Sequence, residues 1–146
     1  MKLTANFTLR EFERSATADR LGIDNRVPAD LLPNARRVAC WLQALRDRLG
    51  RPVVVTSGYR SKALNAAVGG SPSSAHCCAL AADIQVPGMA AAKLFAFIRQ
   101  HMADMPADQV IEEFGEWVHV GLAETPRTQF LIASKAGGKT RYEAAA

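Results

Sequence analysis

Between residues 30 and 49, Leu31, Leu32, Ala35, Val38, Ala39, Leu42, Leu45 and Leu49 recur at helical spacing and predict one long amphipathic helix. Gly50 and Pro52 end it, as a left-handed cap and a residue that cannot continue a helix would. A second stripe, Leu94, Phe97, Ile98 and Met102, predicts a helix over 90–102. Near the start, Thr8 is followed three residues later by Glu11, a capping-box pattern that opens a short helix within 7–14. Gly22, Asn25 and Pro28 then mark a loop.

Shorter apolar runs read as strands. Residues 53–56 are β-branched and are broken by Ser57 and Gly58; residues 80–86 end at Pro87 and Gly88. Two more, 109–114 and 117–122, flank Gly115, and a last pair, 130–134 and 140–142, flanks Gly137 and Gly138. Between the first two strands, 61–68 reads as a short helix closed by Gly69 and Gly70, and 69–75 as a loop of small residues. Helices first, then strands with one helix among them, predict an α+β domain with a mostly antiparallel sheet. We read 1–146 as a single domain, with a helical segment over about 7–50 packed on a core over about 51–143.

Composition narrows the class. With 146 residues, 49% hydrophobic and 22% charged, the chain can bury a real core and is neither disordered nor fibrous. A net charge of +4 suits an anionic partner, either nucleic acid or a wall polymer. No long Lys/Arg run supports the nucleic-acid alternative. Cys40, Cys77 and Cys78 are an odd set with one adjacent pair, not a disulfide framework. We find no signal-peptide pattern in the first residues and no apolar run of membrane-spanning length, so we expect cytoplasmic synthesis and no membrane insertion.

Candidate chemistry centres on histidine. His76 ends the small-residue loop, Asp83 follows seven residues later inside an apolar strand, and His119 lies in another apolar strand. A carboxylate in the run Leu80-Ala81-Ala82-Asp83-Ile84 needs a partner if buried. A lone strand histidine is ordinarily a hydrogen-bonded core residue, but two imidazoles and a carboxylate together suit a catalytic zinc with one place left for water. A general base would have to come from the acids nearby. Glu116 lies three residues before His119, where strict alternation puts it on the opposite face; Glu113 shares the parity of His119 across the turn. Both stay open, as does a solvated role for either. Arg60, after Ser57-Gly58-Tyr59, could clamp a carboxylate or polarise a carbonyl, or be a surface arginine in a turn.

Taken together, Ser57-Gly58-Tyr59-Arg60-Ser61, Leu64-Asn65, Val68-Gly69-Gly70, Ser74-Ala75-His76, Ala81-Ala82-Asp83 and Trp117-Val118-His119-Val120 resemble the zinc D-alanyl-D-alanine carboxypeptidases of peptidase family M15. The likeness runs from Phe7-Thr8-Leu9-Arg10-Glu11-Phe12 to Gly138-Lys139-Thr140. It implies a hedgehog/DD-peptidase fold, a Zn2+ cofactor held by His76, Asp83 and His119, Glu116 as the acid that activates water, and Arg60, Ser74 and Tyr59 along the substrate. It implies hydrolysis of peptidoglycan stem peptides, at D-Ala-D-Ala or at L-alanyl-D-glutamate bonds. Short members of this kind resemble phage or prophage endolysins, whose site of action is the cell wall after phage-type release. The alternative within the same fold is a zinc-stabilised binding module without peptidase activity. One departure stands out: Ala79 occupies a position where the family usually has Gly, beside Cys77 and Cys78, whose thiolates could compete as soft ligands. Nothing in the sequence indicates an oligomeric state.

Overall fold

In the computed structural model, which describes residues 1–146, the capping box at Thr8 forms. The Glu11 carboxylate accepts from the Thr8 N–H at 2.6 Å and from its hydroxyl at 3.1 Å, opening α1 (Leu9–Glu13). A second short helix, α2 (Ala16–Leu21), was not expected; Ser15 caps it by accepting from Ala18 N–H, and Gly22 ends it at φ +67°. At six residues it carries no readable periodicity.

The long helix begins with a 3-10 turn (Ala29–Leu31) and becomes α3 (Leu32–Leu49). Pro33 sets that boundary, because a residue without an N–H fits only in a helix's first turn. α3 buries Ala35, Val38, Ala39, Trp41, Leu42 and Leu45. After β1 (Val54–Ser57), Ser61 caps α4 (Lys62–Ala67) by accepting from Leu64 N–H. A 3-10 turn (Ala75–Cys78) then leads into β2 (Ala81–Gln85), and α5 (Ala91–His101) returns the chain to β3 (Gln109–Glu113) and β4 (Trp117–Gly121). The last hairpin is β5 (Gln129–Ala136) with β6 (Lys139–Ala144). These two strands run longer than their apolar cores indicated, because their outer residues are exposed and lack hydrophobic patterning.

The six strands form one sheet in the order β1-β2-β4-β3-β5-β6, antiparallel except for β3 with β5. The expected α+β class with a mostly antiparallel sheet is what forms. The two faces differ sharply. Ala82, Ile84, Val118, Val120 and Val110 point to a core shared with α3 and α5, and all are sealed from solvent. Asp83, His119, Ile111 and Leu131, in register across β2, β4, β3 and β5, make a row on the opposite face. Phe7 and Phe12 join the same hydrophobic core as α3, and Phe12 O accepts the Tyr59 N–H at 2.7 Å, which ties α1 to the end of β1.

Candidate metal centre and cleft

Strand register brings the first two candidate ligands together. Asp83 and His119 are direct cross-strand neighbours on β2 and β4, and His119 Nδ1 lies 3.0 Å from Asp83 Oδ1. His76 arrives from the 3-10 turn. Ser74 caps that turn by accepting from His76 N–H, the His76 carbonyl accepts from Arg60 N–H, and the His76 ring lies over the sheet, 2% exposed. Its Nε2 is 3.2 Å from both Asp83 Oδ1 and His119 Nδ1.

This triangle fits a metal ion. Ligands about 2.0 Å from a tetrahedral centre are separated by about 3.3 Å, close to the spacing found. Protonation points the same way. His76 Nδ1 sits 2.6 Å from the Gly58 carbonyl, an acceptor only, so Nδ1 carries the proton and donates. A neutral His76 therefore turns a bare Nε2 lone pair toward the Asp83 carboxylate and His119 Nδ1. In the His119 tautomer that leaves Nδ1 bare, three electron-rich atoms face one point and are satisfied by a central cation, and the Gly58 carbonyl orients the His76 ring as an outer partner of a metal ligand would. With no cation between them, burial pushes the Asp83 carboxyl up, and His119 and His76 rings that carry a proton toward it more than offset this and hold it well below the usual carboxylate range. The thiols of Cys77 and Cys78 are not part of the donor group; Cys78 is exposed.

Ala79 ends the ligand turn at φ +55°, in the left-handed region where Gly is preferred. It is nevertheless buried within the core cluster, so its methyl contributes packing that Gly would not.

A cleft of about 730 Å³ opens over the donor group. Arg60 and Ser74 both line it, with Arg60 Nη2 donating to Ser74 Oγ at 3.3 Å. Arg60 has no carboxylate partner, and its Nε is buried without an acceptor. Glu113 also lines the cleft, on the same face as His119, with Oε1 3.9 Å from His119 Nδ1. Burial and the neighbouring Asp83 raise its pKa, partly countered by His119, Arg60 and Trp117. Glu116 sits elsewhere: it is exposed in the 114–116 turn, outside the cleft lining, and its carbonyl accepts from Gln85. Tyr59 also lies away from the cleft, buried in the core cluster at 8% exposure.

Several cleft residues had no sequence signal of their own. Gln109, Asp108 and Arg127 lie at one side, and Tyr142 on β6 shares the cross-sheet row of Glu113 through Ala133. The parity of β3 relative to Ile111 would have indicated Gln109; Arg127 and Tyr142 depend on where β5 and β6 join the sheet. Two buried asparagines hold the loops. Asn25 donates to the Glu13 and Tyr59 carbonyls and accepts from Ser61 N–H, and Asn65 donates to the Ser71 carbonyl.

No curated protein matches the chain at a significant level. Residues 5–121 match the model of the family described as peptidase M15. That span takes in α1, the ligand turn, both ligand-bearing strands, Arg60 and Glu113, and on this match the chain belongs to peptidase family M15.

Proposed function

We propose that the chain is a zinc-dependent peptidase that hydrolyses peptide bonds in peptidoglycan stem peptides, of D-Ala-D-Ala carboxypeptidase or L-alanyl-D-glutamate endopeptidase type. The observation that carries this reading is the triangle of His76 Nε2, Asp83 Oδ1 and His119 Nδ1, with sides of 3.0–3.2 Å, at the floor of a cleft lined by Glu113 and Arg60. Family membership supplies the peptidase chemistry, and the sequence resemblance supplies the wall substrate.

His76, Asp83 and His119 would hold the zinc, which when bound supplies Lewis acidity and a water of lowered pKa. Glu113 is our candidate for general base in preference to Glu116, because it faces the donor group while Glu116 faces solvent. Partial burial and the Asp83 charge favour its protonated form, so a proton taken from the attacking water is readily returned to the departing amine. Arg60, with guanidinium donors unfilled and held beside Ser74, steadies the scissile carbonyl oxygen or a substrate carboxylate. An endolysin-type role at the cell wall is supported by the resemblance alone; no helix is long and apolar enough to cross a membrane.

The test is digestion of purified muropeptides followed by mass analysis, with and without a chelator. Release of D-Ala marks a carboxypeptidase, and cleavage between L-Ala and D-Glu an endopeptidase. Stoichiometric zinc with no product from any muropeptide would replace this reading with a binding module.

A further inference from the structure

Beside the metal row the cleft is lined by Gln109, whose side chain is bonded to that of Gln129 just outside the lining. Gln109 on β3 and Gln129 on β5 are in register, and Gln109 Nε2 donates to Gln129 Oε1 at 2.9 Å. Each side-chain amide offers one carbonyl and two N–H donors. Their mutual bond leaves Gln109 Oε1 and the Gln129 amino group without a partner in the chain, and neither is sealed from solvent. Turning both amides end for end exchanges the roles and leaves the same couple, one free carbonyl beside one free amino group.

The charge around this couple is balanced. Arg127 is locked to Asp108 by Nε–Oδ1 and Nη2–Oδ2 bonds of 3.0 and 2.7 Å, and its backbone N–H also donates to Oδ1 at 2.9 Å. It therefore differs from Arg60, which has no carboxylate partner. A substrate carboxylate at this couple could accept from the free amino group but would be set against the free carbonyl oxygen, with no free cation beside it. A group with an N–H beside a C=O would satisfy both glutamines. The pair lies two residues along β3 from Ile111, the cross-strand neighbour of His119, which is about 7 Å along the strand. Gln129, the first residue of β5, and Arg127 both fall outside the 5–121 family match.

Resting on the peptidase reading above, we infer that Gln109 and Gln129 form a neutral amide-reading subsite. It selects peptides that present an adjacent N–H and C=O about two residues from the scissile bond, from a carboxamide side chain or from one residue of extended backbone.

The experiment uses zinc-loaded full-length Glu113→Gln protein, titrated calorimetrically with three matched stem peptides. The first carries a carboxamide two residues from the cleavable bond, the second a carboxylate there, and the third an ester in place of the backbone amide at that residue. The carboxamide peptide should bind about tenfold more tightly than the carboxylate or the ester peptide, the ratio one net hydrogen bond supplies. A gap to the carboxylate identifies the side chain as the group read; a gap to the ester identifies the backbone. Gln109→Leu and Gln129→Leu, each added to the same protein, should bring that ratio close to one, and either variant suffices if the other misfolds. Equal affinity for all three peptides, no binding of any, or a ratio that survives both substitutions overturns the inference. Turnover of the first peptide by the unmodified protein is followed in parallel. No turnover with zinc bound would overturn the peptidase reading, while the binding ratio still decides the subsite.

Discussion

Gly58 links the fold to the metal centre, and Gly58→Ala tests that link. A Cβ at this position would sit 2.6 Å from Phe12 Cα and 2.7 Å from Phe12 O, where carbon atoms normally approach to about 3.5–4.0 Å. Both atoms are backbone, and the Phe12 carbonyl is held by the Tyr59 N–H at 2.7 Å, so no flexible side chain can absorb the overlap. Overpacking of this kind costs about 1–3 kcal/mol, and the stiffer unfolded chain returns about 0.4–1 kcal/mol, for a net loss of roughly 1–2 kcal/mol. The same displacement moves the Gly58 carbonyl that accepts from His76 Nδ1. Loss of such an outer partner lowers metal affinity by about 10–100-fold. Urea unfolding of the metal-free protein gives the first quantity, and zinc competition against a chromophoric chelator gives the second. Gly50→Ala is the control. Gly50 sits at φ +66° with nothing within 4 Å of its absent Cβ, so Ala there should cost about 1–2 kcal/mol of backbone strain, less the same return of about 0.4–1 kcal/mol, for a net loss of about 1 kcal/mol with zinc affinity unchanged. If Gly58→Ala lost stability but bound zinc as the parent does, the Gly58 carbonyl would not be orienting His76, and the coupling argued here would be refuted.

Other substitutions separate the remaining roles. Glu113→Gln should lower kcat by about 10²–10⁴-fold with zinc still stoichiometric, while Glu116→Gln stays within about twofold; steady-state kinetics with metal analysis decides between them. Ala79→Gly should change stability by less than about 1 kcal/mol in urea, because relief of about 1–2 kcal/mol of left-handed strain is offset by about 0.8 kcal/mol for the lost methyl and 0.5–1 kcal/mol of glycine entropy. Arg127 holds the Asp108 carboxyl below its ordinary value, so this group adds stability that is present above the unfolded carboxyl pKa of about 4 and is lost as pH falls through the lower folded value. Asp108→Asn should accordingly flatten the decline in urea midpoint as pH falls below about 4, and an unchanged slope would show that the pair does not contribute.

The sequence made some parts of this molecule legible and left others closed for physical reasons. Asp83 announced itself because a carboxylate in an apolar strand needs a partner, and His119 did so through the same burial. α3 was readable because eighteen residues hold several turns of one apolar stripe. The choice between Glu113 and Glu116 was not readable, since it depends on the shape of the turn. Phe114 and Gly115 both adopt positive φ, so Glu113 pairs with Trp117 and Glu116 is left outside the ladder. The family resemblance implied that Tyr59 lies along the substrate, but its backbone is tied to Phe12 and its ring joins the core. Arg127 and Tyr142 reached the cleft only because β5 pairs with the far side of β3, a pairing between segments distant in sequence.

The donor triangle also has a mechanical meaning. His76 and His119 are 43 positions apart, and the three cysteines are all unpaired, so no disulfide clamps the ligand turn onto β4. A metal ion held between them would act as a reversible staple across that span. Closing a loop of this length restricts the unfolded chain by about 4 kcal/mol on the chain-entropy estimate used for covalent cross-links. The persistence of the folded chain would then follow the metal supply of its surroundings, and a chelating environment would act as an off switch for the molecule as well as for its chemistry.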